Sequence, residues 1–178
     1  WRICLSGAPQ LDDISKFELK NEFRSPNRAL VILHPETLGI DREVSISEIL
    51  DFLLVKEFFI DIILPNTDSG SLSIINEIDK FNHLKIKKYR NLNRDVFLNY
   101  LASCSFLIGN SSSGILEAPT LKTPVINIGN RQIGRIQASN VINCLNTKKE
   151  SLENSYNKIR SATFKKGLEN CVSPYGDG

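Results

Sequence analysis

The sequence predicts an α/β fold: a doubly wound, mainly parallel sheet forming a single domain over residues 1–178. Three observations carry this reading. Short apolar runs rich in β-branched residues recur along the chain, and segments with helical spacing separate them. Most of the runs are continuous rather than alternating, the pattern of strands buried on both faces. Strand–helix alternation calls for right-handed crossovers, which gather every strand-to-helix loop along one edge of the sheet.

The elements follow in order. A strand is expected at 3–5, then a helix over 11–23. The run 29–33 leads to a helix over 45–59, where Ser45 followed by Glu48 reads as a capping box. The run 61–64 precedes a helix over 69–81 with Leu72, Ile75 and Ile78 on one face. The run 85–89 precedes a helix over 94–104, which carries Val96, Phe97, Tyr100 and Leu101. The run 105–108 leads into a helix over 113–121. The run 124–128 and a short addition at 140–142 come before a helix over 148–166.

Composition excludes several classes. The net charge of +2 is too small, and Lys and Arg too dispersed, for a nucleic-acid partner. The basic runs Lys85-Ile86-Lys87-Lys88 and Lys148-Lys149 read as solvated edges. No apolar stretch approaches the ~20 residues that span a bilayer, so no membrane partner is expected. Cysteines at 4, 104, 144 and 171 lack metal-like or redox-like spacing. Cys4, Cys104 and Cys144 fall in or beside apolar segments and read as buried free thiols of a reducing, cytoplasmic compartment. No cofactor or metal is expected. The absence of Met and the opening at Trp1 suggest a piece of a longer protein.

The loops that close the strands are polar. They read His34-Pro35-Glu36-Thr37, Pro65-Asn66-Thr67-Asp68-Ser69-Gly70, Gly109-Asn110-Ser111-Ser112-Ser113-Gly114 and Gly129-Asn130-Arg131-Gln132-Ile133-Gly134-Arg135. Ligands of doubly wound folds bind along that edge. In the serine loop, glycines let the backbone approach a ligand, and the following helix offers free N–H groups to an anion. A plain turn with a serine cap is the alternative. Arg131 and Arg135 suit bidentate phosphate contact or a surface ion pair. His34 suits a phosphate donor or an acid–base group, or a structural histidine. His83, on a polar turn, reads as surface. Glu117 suits either a pair of ribose hydroxyls or the helix N-terminus. Phe97 faces the core by periodicity, though its ring could also meet a base.

The runs Leu107-Ile108-Gly109-Asn110-Ser111-Ser112-Ser113-Gly114-Ile115-Leu116-Glu117-Ala118-Pro119 and Pro124-Val125-Ile126-Asn127-Ile128-Gly129-Asn130-Arg131-Gln132-Ile133-Gly134-Arg135 resemble the signature of hydrolysing UDP-N-acetylglucosamine 2-epimerases. The His34 and Asn66 loops match in order and spacing, and Pro174-Tyr175-Gly176-Asp177-Gly178 is also typical. The resemblance implies a Rossmann-like domain, the second half of a two-domain GT-B fold, that binds the UDP moiety. It implies elimination of UDP followed by addition of water, giving N-acetylmannosamine. Ser111 and Ser112 would contact the diphosphate, within a substrate-binding set that includes Ser113, Gly114, Gln132 and Arg135. Glu117 would hold the ribose, Arg131 the nucleotide, and Phe97 would pack on uracil. His34 would assist UDP departure, and Asn66, with Asp68, would line the sugar-phosphate pocket. The acid–base carboxylates would lie in the other half. The full-length protein would be a homo-oligomer, a dimer or tetramer, serving sialic-acid or capsule sugar synthesis. A UDP-diacetamido-trideoxyhexose epimerase, a non-hydrolysing epimerase and a nucleotide-sugar glycosyltransferase are the alternatives.

Overall fold

The computed structural model describes residues 7–12, 14, 24–35, 43–66 and 69–176. The strand expected at 3–5, most of the helix expected at 11–23, Cys4, Glu36, Thr37, Thr67, Asp68 and the last two residues lie outside the described residues. After a 3₁₀ turn at Pro9–Leu11, the order is β1 (Arg28–Ile32), α1 (Ile46–Val55), β2 (Phe59–Ile63), α2 (Ser71–Asp79), β3 (Ile86–Tyr89) and α3 (Arg94–Ser103). It continues with β4 (Phe106–Gly109), α4 (Ser113–Leu116), β5 (Val125–Ile128), β6 (Val141–Cys144), α5 (Lys149–Arg160) and α6 (Ala162–Glu169).

Among the described residues the strands form one sheet in the order β3-β2-β1-β4-β5-β6, with every pair parallel. That is the order of a Rossmann-like sheet, and its growth reverses between β1 and β4. Alternate residues of each strand feed two cores. Ala29, Val31, Ile60, Ile62, Phe106, Ile108, Ile126 and Ile128 face one side, against α1, α2, α5 and α6. Leu30, Ile32, Leu107 and Val125 face the other, against Leu98 and Leu101 of α3, Ala118, Leu121 and the 3₁₀ turn. Both faces of the central strands are covered, which is why their sequences read as continuous apolar runs. Lys87 and Lys88 stand exposed on β3, an edge strand, where charge discourages further strand pairing.

Several boundaries differ from expectation. α1 ends at Val55 rather than near 59, because Glu57 adopts φ 63° and closes a Schellman turn. In that turn Phe58 N donates to Leu53 O (3.0 Å) and Glu57 N to Leu54 O (3.0 Å). The capping box does not form, since Ser45 makes no side-chain cap. Instead the Thr147 hydroxyl accepts from Ser45 N (2.9 Å) and meets the Glu48 carboxylate, tying the start of α1 to the chain before α5. The helix expected over 113–121 stops at Leu116: Pro119 lacks the N–H a further turn needs, and Lys122 turns at φ 53°. The helix expected over 148–166 is two helices. Ser161, at ψ 149°, breaks the first and caps the second by accepting from Phe164 N (3.2 Å).

One charged cluster sits under α3. Asp61 of β2 is buried and pairs with Arg28 of β1 (2.6 Å), which holds that guanidinium above its ordinary range. Tyr89 OH donates to the second Asp61 oxygen (3.2 Å) and lies 2.8 Å from Tyr100 OH of α3. Burial pushes the Tyr89 phenol up, so it stays a donor. The chain of bonds fixes α3 relative to β2 and β3. Cys104, Cys144 and Cys171 are free and buried, and desolvation pushes the Cys104 thiol up to about 12. Among the described residues no helix is long and apolar enough to cross a membrane.

Candidate functional site

Three strand ends converge where the sheet order reverses. β4 ends at Gly109, φ 143°, in register with Ile32 of β1. A Cβ on Gly109 would lie 1.9 Å from Ile32 O, so only glycine lets the chain pass this close. Asn110 follows, fully buried. Its N–H donates to Ile32 O (3.0 Å), its Oδ1 accepts from His34 N (2.7 Å), and its Nδ2 donates to His34 O (2.9 Å). Its own carbonyl accepts from Arg131 Nη1 (3.1 Å) and Gln132 Nε2 (2.8 Å). Every polar group of this residue thus binds a loop that follows β1 or β5, or the end of β1 itself.

The serine loop is organised within itself. Ser113 Oγ donates to Ser111 Oγ (2.9 Å), which also accepts from Ser113 N (3.3 Å). Ser113 is buried, whereas Ser111 and Ser112 are half-buried. The N–H groups of Ser111 and Ser112 make no hydrogen bond among the described residues. α4 has only four residues, so its dipole adds less than a long helix would, and the loop amides would be the principal donors to an anion. Gly114 lies beneath them. A Cβ there would meet Val125 Cγ1 at 2.9 Å and Leu107 Cδ2 at 3.2 Å, so this glycine lets α4 press onto β4 and β5.

One turn further on, Glu117 is buried and its Oε1 accepts from Arg94 Nη1 of α3 (2.9 Å). Glu117 Oε2 is buried with no partner among the described residues. Phe97, one turn along α3 from Arg94, is half-buried against the second core.

The loop after β5 turns at Gly129, φ 68°, whose N–H donates to Cys144 O (2.9 Å). Arg131 is exposed, and Gln132 is buried, with Oε1 unpartnered among the described residues. Arg135 is exposed, and its N–H donates to Gln132 O (3.3 Å). Under this loop runs an amide ladder. Asn127 Nδ2 donates to Asn143 Oδ1 (2.8 Å), and Asn143 Nδ2 donates to Gln137 Oε1 (2.8 Å). A cleft of about 290 Å³ lies there, lined by Asn127, Gly129, Ile133, Gly134, Gln137 and Asn143.

His34, Arg131 and Gln132 are therefore brought together through Asn110, Ser111 joins Ser113, and Glu117 joins Arg94. Asn66 is exposed just after β2, and Asp68 lies outside the described residues. Asn110 and Arg94, which bond to these residues, were not singled out from the sequence. A signal for the second existed, because a cation in the first turn of a helix opposes the dipole and needs a compensating anion. Chemically, the edge gathers loop amides, hydroxyls and a guanidinium, groups suited to a phosphate, with a buried carboxylate one turn beyond.

The chain is 36% identical over 143 residues to the GDP/UDP-N,N'-diacetylbacillosamine 2-epimerase (hydrolyzing) of Campylobacter jejuni, covering 76% of this chain and 36% of that protein. It is 30% identical over 183 residues to the UDP-N,N'-diacetylbacillosamine 2-epimerase (hydrolyzing) of Legionella pneumophila, covering 97% of this chain and 47% of that one. The chain thus spans half or less of the length of these relatives. A crystal structure of Methanocaldococcus jannaschii UDP-GlcNAc 2-epimerase, in complex with UDP-GlcNAc and UDP, shares the fold at a TM-score of 0.62 and 16% identity. That superposition covers 95% of this chain and 48% of the other. The sequence model of the UDP-N-acetylglucosamine 2-epimerase family matches residues 1–178, and the chain belongs to that family.

Proposed function

We propose that this chain forms the nucleotide-binding half of a hydrolysing UDP-sugar 2-epimerase that takes UDP-N-acetylglucosamine. The observation that carries the reading is the Asn110 cluster, which gathers His34, Arg131 and Gln132 beside the serine loop at the point where the sheet order reverses. A nucleotide diphosphate accepts from the Ser111 and Ser112 amides and hydroxyls and from Arg131. Glu117 takes the ribose and Phe97 the uracil ring. Arg135, Ser113 and Gln132 complete the wall around the phosphates, and Asn66 with Asp68 faces the sugar.

The reaction is anti elimination of UDP across C1 and C2 of the sugar, followed by addition of water, releasing N-acetylmannosamine. This half binds the leaving group. Donors on the diphosphate stabilise the negative charge that grows as the C1–O bond breaks, which is where electrostatic stabilisation acts. His34 is positioned by two backbone bonds to Asn110 and supplies a donor to the departing oxygen. The carboxylates that move the C2 proton belong to the other half of the enzyme.

A second reading has its own support. The Campylobacter relative is named for GDP/UDP-N,N'-diacetylbacillosamine and the Legionella relative for UDP-N,N'-diacetylbacillosamine, a diacetamido sugar on a nucleoside diphosphate. The UDP form of that substrate uses the same diphosphate site and differs from UDP-N-acetylglucosamine only at the sugar.

Calorimetry with UDP and UMP tests the site. UDP is expected to bind more tightly than UMP. Arg131→Ala should weaken UDP binding by about 1.5–3 kcal/mol, and Ser112→Ala by about 0.5–1.5 kcal/mol. UDP binding indifferent to both substitutions would contradict the placement. Assay of the full-length enzyme for free N-acetylmannosamine, against the diacetamido analogue, separates the two substrates.

A further inference from the structure

The open cleft at the carboxyl ends of β5 and β6 holds about 290 Å³, close to the lower end of small-molecule sites. None of the described residues that line it is charged. Nothing in that lining compensates a phosphate, so the cleft suits a neutral group. Its place is set by the sheet register: Asn127 of β5 lies between Gly109 of β4 and Asn143 of β6, one strand over from the start of the serine loop. The three amides of the cleft orient one another. Asn143 Nδ2 donates to Gln137 Oε1 (2.8 Å), and Gln137 Nε2 donates back to Asn143 Oδ1 (3.2 Å). Asn143 Oδ1 also accepts from Asn127 Nδ2 (2.8 Å), which fills both its lone pairs. Asn127 must therefore turn its N–H side to the ladder, and its Oδ1 accepts no hydrogen bond among the described residues.

Asn127 is 3% exposed and lines the cleft, so its carbonyl is an unpaired acceptor on a buried side chain at the wall of an open space. Such an acceptor costs stability unless a donor reaches it. Asn143 and Gln137 each keep one N–H beyond their pair. Two further lining residues are apolar: Ile133 and Leu145 stand 72% and 62% exposed. An acceptor, spare amide N–H groups and apolar side chains around a neutral space match an acetamido group, which brings one N–H, one carbonyl and one methyl. We propose that this cleft binds the acetamido group of an amino sugar: its N–H donates to Asn127 Oδ1, its carbonyl accepts from Asn143 or Gln137, and its methyl rests on Ile133 or Leu145. The site rests on the cleft alone and is independent of the nucleotide placement proposed above. The group arrives either on a free N-acetylhexosamine or on the sugar of a nucleotide held at the serine loop.

The test follows the side-chain NH2 signals of Asn127, Gln137 and Asn143 by NMR in the full chain during titration with N-acetylglucosamine, with glucosamine and glucose as controls. N-acetylglucosamine should shift these signals and the Ile133 and Gly134 amides, with a dissociation constant of about 1–10 mM. Glucosamine and glucose should bind about fivefold more weakly or not at all. Asn127→Leu removes the acceptor and keeps a similar shape, and should weaken N-acetylglucosamine about fivefold. Ile133→Ser changes a side chain exposed to solvent and should weaken it about twofold to fourfold; it carries the test should the Asn127 variant not fold. UDP and UDP-N-acetylglucosamine separate the two sources. If UDP-N-acetylglucosamine but not UDP shifts the three side chains and displaces N-acetylglucosamine, the cleft holds the sugar of the bound nucleotide. If N-acetylglucosamine binds undiminished beside saturating UDP-N-acetylglucosamine, the cleft takes a free sugar. Equal binding of glucose, no shift with either acetamido compound, or affinity unchanged in every folded variant would overturn the proposal. The Ser111 and Ser112 amides report on the nucleotide placement separately in the same spectra.

Discussion

At Asn110 a donor and an acceptor on one side chain face an acceptor and a donor on one backbone residue, His34. The match is directional, so two substitutions should fail differently. Asn110→Ala leaves the His34 N–H and C=O without partners and should lower stability by roughly 2–4 kcal/mol. Asn110→Asp keeps the acceptor for His34 N but sets a carboxylate oxygen against His34 O. It should be destabilising above the carboxyl titration range and recover toward acid, where a protonated oxygen can donate. Denaturant melts at pH 7 and near pH 4 read the difference. A pH-independent loss equal to that of alanine would show that the paired geometry does not matter. Such a residue is hard to find from sequence. Asn110 and His34 are 76 positions apart, and nothing in the spacing announces that they meet. The serines and arginines could be singled out as candidates because residue type alone suits them to phosphate, whereas Arg94 and Asn110 bond to partners that only the fold supplies.

At the scale of elements, β4 carries the tightest constraint. Gly109 crosses the end of β1 at a φ favourable to glycine, and a side chain there would collide with Ile32 O. Gly109→Ala should therefore part β4 from β1 and cost on the order of 3 kcal/mol. It should also abolish UDP binding, because Asn110 moves with it. Retention of wild-type stability and affinity in that variant would contradict the close approach. The strands were readable because burial on both faces writes continuous β-branched runs into the sequence. Their helices were readable by period but not by end. Glu57 and Lys122 turn in the left-handed region without being glycine, and the break at Ser161 interrupts a run whose apolar period continues past it. Ser45 and Glu48 had the spacing of a capping box, but Thr147, 102 residues from Ser45, competes for both.

For the whole molecule, the sheet order sets the switch point. Growth outward from β1 on one side and from β4 on the other makes their junction the place whose crevice ligands of doubly wound folds occupy. The order could not be read from the chain, since alternation predicts parallel strands but not which are neighbours. It follows from which apolar runs found each other in the two cores. A second concavity, about 260 Å³ between α1 and α5 and lined by Glu48, Asp51, Lys56, Thr147 and Lys149, lies away from the serine loop. Its lining mixes both signs of charge, with three carboxylates among the residues around it, which disfavours a diphosphate.

Backbone amide NMR during titration with UDP decides between these places most directly. The nucleotide site at the crevice predicts that the largest shifts fall on Ser111, Ser112, Ser113 and the 129–135 loop, with smaller ones at His34, Phe97 and Glu117. Shifts centred on Glu48, Lys56, Thr147 and Lys149, or none at saturating UDP, would contradict it.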